Sequence, residues 1–131
     1  MDNTNQIHFR TETDSDTIVW LLFDKADGAT NVLNAEVFEQ LDEHLRNIVA
    51  QCPRGLVILS DKINGFIAGA DITAFTKVTS KNQALDFLRM GQDVFNRLEA
   101  LPFPTVALIH GFCLGGGTEL SLACRYRITR D

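Results

Sequence analysis

The stretch that decides the fold is Pro104-Thr-Val-Ala-Leu-Ile-His-Gly-Phe-Cys-Leu-Gly-Gly-Gly-Thr-Glu-Leu120. Thr105–Ile109 is a short, mostly apolar run with three β-branched residues, the pattern of a central strand in a parallel sheet. Pro102 and Pro104 stop any helix from running into it, because proline lacks the amide proton a helix needs. After His110 and Gly111 the chain turns, and Gly115-Gly-Gly117 opens a helix. The first amides of a helix have no intrahelical acceptor and carry the positive end of its dipole. A strand, a glycine turn and a helix start together form the place where a parallel sheet presents its ligand. Amides so placed suit negative charge developing on an oxygen.

A second glycine segment, Gly65-Phe-Ile-Ala-Gly-Ala-Asp-Ile72, follows the apolar run Gly55-Leu-Val-Ile-Leu-Ser60, which also reads as a buried strand. Working outward, Lys81–Ala100 is predicted as a helix with Leu85, Leu88, Phe95 and Leu98 on its buried side. An earlier helix is capped by Asn34, carries a stripe of Val37, Phe38, Leu41, Leu45, Ile48 and Val49, and ends at Cys52-Pro53. Thr17–Phe23 reads as a largely buried strand with Trp20 in the core. The polar turn Thr13–Asp16 joins it to a first strand over residues 6–12, with Ile7 and Phe9 on one face. Asp24–Asn34 and Asp61–Asp71 read as loops, and Tyr126–Ile128 as the start of a last strand. The predicted order is β-β-α-β-loop-α-β-α-β, an α/β domain over residues 1–131 with no internal linker.

Composition narrows the classes. With 45% apolar and 22% charged residues the chain is an ordinary globular protein. A net charge of −5 and no basic run longer than Arg125-Tyr126-Arg127 argue against nucleic acid as the partner. They leave room for an anionic ligand held by backbone amides. Three cysteines without C-x-x-C spacing argue against a disulfide framework or a zinc site and favour a reducing compartment. No apolar stretch is long enough to span a membrane, and residues 1–6 show no secretory signal, so the cytoplasm is expected.

Three glycine motifs compete for residues 111–120. A dinucleotide fingerprint fails, because counting from Gly115 puts Leu120 where the last glycine belongs. A phosphate-binding P-loop fits the frame Gly111–Thr118 but has Gly117 in place of the lysine that meets the phosphates. Gly111-Phe-Cys-Leu-Gly115 is a G-x-C-x-G pattern, which would make Cys113 the nucleophile of a cysteine-dependent α/β-hydrolase. The bland alternative is that Cys113 is a small packing residue. His8 and His44 read as solvent-facing, and His110 as a packing or hydrogen-bonding residue at a strand end.

The whole pattern, a β-β-α start followed by F-I-A-G-A-D-I and P-T-V-A-L-I-H-G-F-C-L-G-G-G-T-E-L, resembles the crotonase (enoyl-CoA hydratase/isomerase) superfamily. The likeness runs along nearly the whole chain. It implies a crotonase-like spiral of β-β-α units and binding of fatty acyl-CoA thioesters, with coenzyme A as part of the substrate and no covalent cofactor. In that family two backbone amides polarise the thioester carbonyl, and the resemblance puts them at Ala70 and Gly116. It also implies that the segment ending at Ala68 meets the adenine part of coenzyme A, with Gly69, Ala70 and Gly116 further along the bound cofactor and Lys62 near enough to reach a phosphate. Glu119 matches the glutamate that activates the added water; on its own, a helical glutamate would read as a solvated surface residue.

Phe95–Pro102 and Cys113–Leu120 are most similar to the hydratase part of multifunctional fatty-acid oxidation α-subunits, which implies β-oxidation and a thiolase subunit as partner. The family's second catalytic glutamate and its later covering helices would lie beyond Asp131. The resemblance therefore implies that the chain is the first part of such a domain, inactive by itself and prone to self-association. Two alternatives stay open: the cysteine hydrolase, and an inert fragment of the same fold.

Overall fold

A computed structural model describes residues 6–70 and 80–130. Strand β1 (Phe9–Thr13) pairs antiparallel with β2 (Ile18–Phe23) across the turn at Asp14–Thr17. Asp14 makes that turn rigid: its carboxylate accepts from the amides of Asp16 and Ile18 and from the Trp20 indole. Helix α1 (Ala35–Ala50) follows, then β3 (Gly55–Ser60), β4 (Gly65–Ile67), α2 (Lys81–Glu99), β5 (Thr105–Ile109), β6 (Phe112–Cys113), α3 (Gly116–Ala123) and β7 (Tyr126–Thr129).

Five strands form one sheet in the order β1-β2-β3-β5-β7, parallel from β2 onward. Because side chains alternate across a strand, one face carries Val19, Leu21, Phe23, Leu56, Ile58, Ala107 and Ile109. These pack with the stripe Val37, Phe38, Leu41, Leu45 and Ile48 of α1 and with Val94, Phe95 and Leu98 of α2 into one core. Each such side chain is worth about 1.5–3 kcal/mol when fully buried. Asn34 caps α1 as expected, accepting from the Val37 amide at 2.8 Å.

Several expectations are corrected. The first strand starts at Phe9, and Ile7 before it is 77% exposed. Trp20 lies on the outer, half-covered sheet face rather than in the core, in register with Val57. In α2, Phe95 and Leu98 are buried as expected, together with Gly91 and Val94, but Leu85 and Leu88 are exposed. The loop after β3 contains β4, which pairs in parallel with β6. This two-stranded ladder was not foreseen, and it brings the two glycine segments together. His8 is buried, not solvated: its Nδ1 accepts from the Ala26 amide, and its Nε2 faces Glu36 at 3.2 Å. Burial holds its pKa below the ordinary value, with the Glu36 carboxylate opposing. His44 is half-buried, tilted against Phe9.

Candidate active site

Two amides stand at the centre of the site. The Gly69–Ala70 segment leaves β4 at the edge of the small sheet, and Gly116 begins α3 just after β6. Gly69 adopts φ +105°, a conformation that L side chains rarely take, and a Cβ there would lie 3.3 Å from the Leu114 carbonyl oxygen and 3.7 Å from the Gly116 nitrogen. The two turns are therefore in direct contact. The Leu114 amide donates to the Ile67 carbonyl at 3.0 Å and ties them further. Within α3's first turn, the Gly117 and Glu119 amides are satisfied by the Leu114 and Gly115 carbonyls. Among the described residues, the Ala70 and Gly116 amides donate to no protein acceptor. Asp71 and Ile72, the rest of the first glycine segment, lie outside the described residues.

Both amide-bearing residues line one cavity of about 200 Å³, together with Leu33, Phe38, Phe87, Leu88, Gly91, Gln92, Phe95 and Glu119. The walls are mainly apolar. Phe38 meets Phe87 and Phe95 at ring-centroid distances of 5.6 and 5.7 Å. Glu119 stands one helical turn after Gly116, as expected, and its carboxylate makes no hydrogen bond or ion pair among the described residues. An adjoining cavity of about 220 Å³ is lined by Glu119 and Glu99 together. Among the described residues the site thus offers two unpaired donors, one unpaired carboxylate and an apolar recess. That set suits a substrate with a polarisable carbonyl and a hydrocarbon tail.

The other sequence candidates sort plainly. Ala68 is half-exposed beside the site, with its amide donating to the Asn31 carbonyl at 2.8 Å. The Lys62 ammonium pairs with Asp24 at 2.6 Å and donates to the carbonyls of Lys25 and Gly28. All three donors are taken, so Lys62 organises the 24–28 loop rather than standing ready for a phosphate. His110 Nε2–H donates to the Lys62 carbonyl at 2.7 Å, the hydrogen-bonding role expected of it.

Cys113 gives the hydrolase alternative no support. A nucleophile elbow holds its nucleophile in a strained turn, yet among the described residues the positive-φ non-glycines are Thr17, Asp27 and Cys52. Its sulfur faces the Thr118 hydroxyl at 4.0 Å, and among the described residues no histidine or carboxylate is bonded to it. Cys124 is buried, and burial pushes its thiol up to about 12.

Sequence reasoning missed Asn31 and Leu33, which lie in what reads as a loop. Nothing local marks them, because their partners come from β2, β3, β4 and α3.

The model for the enoyl-CoA hydratase/isomerase family matches residues 24–131. The fatty acid oxidation complex subunit alpha of Aliivibrio fischeri is 44% identical over 133 residues, covering 100% of this chain and 19% of that protein. Its namesake from Vibrio cholerae is 41% identical, with 100% and 18% covered. The chain thus spans about a fifth of the length of these curated relatives. Among solved structures, an enoyl-CoA hydratase from Bacillus anthracis superposes with a TM-score of 0.86 at 29% identity, covering 94% of this chain and 47% of that one. An enoyl-CoA hydratase from Mycobacterium smegmatis, at 20% identity and a TM-score of 0.87, shares the fold over 48% of its chain. The α/β architecture is the first half of a crotonase fold, and the chain belongs to the enoyl-CoA hydratase/isomerase family.

Proposed function

We propose that the protein binds fatty acyl-CoA thioesters and serves the hydration of 2-enoyl-CoA. The observation that carries this reading is the pair of amides, Ala70 and Gly116, on one apolar cavity with Glu119, all three unpaired among the described residues. A thioester oxygen between the two amides gains their hydrogen bonds most strongly when it becomes an enolate. Such a donor is worth about 2.7–4 kcal/mol in the transition state. The acyl chain enters the recess between Leu33, Phe38, Phe87 and Phe95, and the coenzyme A side runs out past Gly69 and the open side of Ala68. Glu119 holds and activates the water that adds at the β-carbon. A second proton donor for the α-carbon completes the reaction, as two-step acid–base chemistry requires.

The likeness to the oxidation-complex α-subunits supports a place in β-oxidation, in the cytoplasm, beside a thiolase subunit. The test is hydration of crotonyl-CoA by the full-length protein and its Glu119→Gln variant. Loss of turnover with retained binding of a CoA thioester is expected. A variant as active as the parent would overturn the assignment of Glu119.

A further inference from the structure

We propose that Asn31 and Leu33 are positioning residues that set the distance between the Ala70 and Gly116 amides; this rests on the oxyanion reading above. Asn31 is fully buried. The two protons of its side-chain NH2 are shared among three acceptors, the Phe23 carbonyl at 3.1 Å, the Ser60 hydroxyl at 2.9 Å and the Phe66 carbonyl at 3.0 Å, and its carbonyl oxygen accepts from the Lys25 amide at 2.9 Å. Those partners are the carboxyl ends of β2 and β3 and the middle of β4. One side chain therefore anchors the 31–33 segment to the edge of both sheets. A buried amide whose nitrogen and oxygen are both bonded is costly to disturb, since any freed partner is left without water.

The same segment then reaches both halves of the site. Its backbone runs parallel to residues 68–70: the Asn31 carbonyl accepts from Ala68, the Leu33 amide donates to the Gly69 carbonyl, both at 2.8 Å, and Leu33 pairs with Ala70. On its other side the Leu33 side chain lies against Gly116. A Cβ on that glycine would stand 2.6 Å from Leu33 Cδ1. Leu33 thus holds one amide-bearing residue by backbone and the other by its side-chain tip. Upstream, the β4–β6 ladder joins the two glycine segments; at the amides themselves, the strap of residues 31–33 does.

The test uses the full-length protein and 4-dimethylaminocinnamoyl-CoA, whose absorption moves to the red when its thioester carbonyl is polarised. Crotonyl-CoA hydration is measured alongside. The unsubstituted protein should bind the probe with a red shift; binding without one removes the oxyanion reading itself, and the strap with it. Given that shift, Asn31→Ala and the milder Leu33→Val should bind the probe with affinity near that of the parent, yet with a smaller shift. Their kcat should fall by up to about 100-fold, the cost of a misplacement near 1 Å, with KM little changed. Leu33→Met, which refills the contact with Gly116, should recover most of the shift. Should Asn31→Ala not fold, Leu33→Val decides alone. A folded Leu33→Val with the parental shift and kcat overturns the proposal, as does loss of stability or affinity with the shift intact, which would mark a packing role only.

Discussion

The two glycine turns deliver the same group, an unpaired amide, by different physical means. The first, around Gly69 and Ala70, is extended backbone pinned from both sides by hydrogen bonds, to β6 through β4 and to Leu33. Its amide points as it does because the neighbouring glycine takes φ +105°. The second, at Gly116, is a helix start, where the amide is unpaired by the geometry of any helix and side chains alone crowd it. A strained, hydrogen-bonded turn resists substitution through its backbone. A helix start resists only through what packs against it.

The largest effect should come from the chemistry that both turns serve. Glu119→Gln should lower kcat for enoyl-CoA hydration by about 10²–10⁴-fold, the range for a general acid–base group, while CoA-thioester affinity in a titration stays close to the parent's. Next come the two turns. Gly69→Ala forces an L side chain into positive φ against the Leu114 carbonyl, and should cost about 1–3 kcal/mol in denaturant unfolding. Gly116→Ala meets only the tip of Leu33, which can rotate, so its stability loss should be under about 1.5 kcal/mol, at the low end for overpacking. Its effect should fall on kcat, because the displaced tip belongs to the site. Equal stability losses for the two would erase the distinction between the turns.

A smaller effect concerns pH. His8 holds the Ala26 amide on the loop that leads to Asn31, and it can do so only while Nδ1 is unprotonated. Its folded pKa is depressed by burial, so the unfolded chain binds the extra proton first. The contribution of His8 to stability is present above the unfolded value near 6.5 and is lost as pH falls below it toward the folded value. His44, depressed for the same reason, adds in the same direction. The folded carboxyl of Asp42 is also lowered, against the burial that opposes it, by the Arg46 and Arg97 guanidinium groups, so its contribution disappears only at pH below the ordinary carboxylate value. Unfolding free energy should therefore decline between pH 7.5 and 5.5, and His8→Gln should flatten that decline; an unchanged slope would detach His8 from it. The smallest effect is at Cys113: Cys113→Ala should leave hydration within about twofold, since its partly buried sulfur faces only the Thr118 hydroxyl among the described residues and acts as a small packing group.

Much of this was legible in the sequence, for reasons that differ by element. β3 and β5 are dense apolar runs closed by glycine or proline, so Gly55–Ser60 and Thr105–Ile109 were found to the residue. Asn34 advertises its cap chemically. The strands β4 and β6 have three and two residues, too few for any period to show. The burial of Leu85 and Leu88 was misjudged because periodicity finds the apolar stripe of a helix but not how much of its length is covered. Family likeness placed Ala70, Gly116 and Glu119 on one site, and the cavity does bring them together. Asn31 was invisible because the groups it bonds lie 6 to 35 residues away, and a lone asparagine in a polar stretch reads as a turn.

The measurement that tests the central claim most directly is the carbon-13 shift of a thioester carbonyl, labelled in a non-reactive acyl-CoA, bound to the full-length protein. Two amide donors on one oxygen withdraw density from the carbonyl carbon, so the bound signal should lie downfield of the free one, and Leu33→Val should reduce the displacement. A bound ligand whose carbonyl resonates where it does in water would contradict the account.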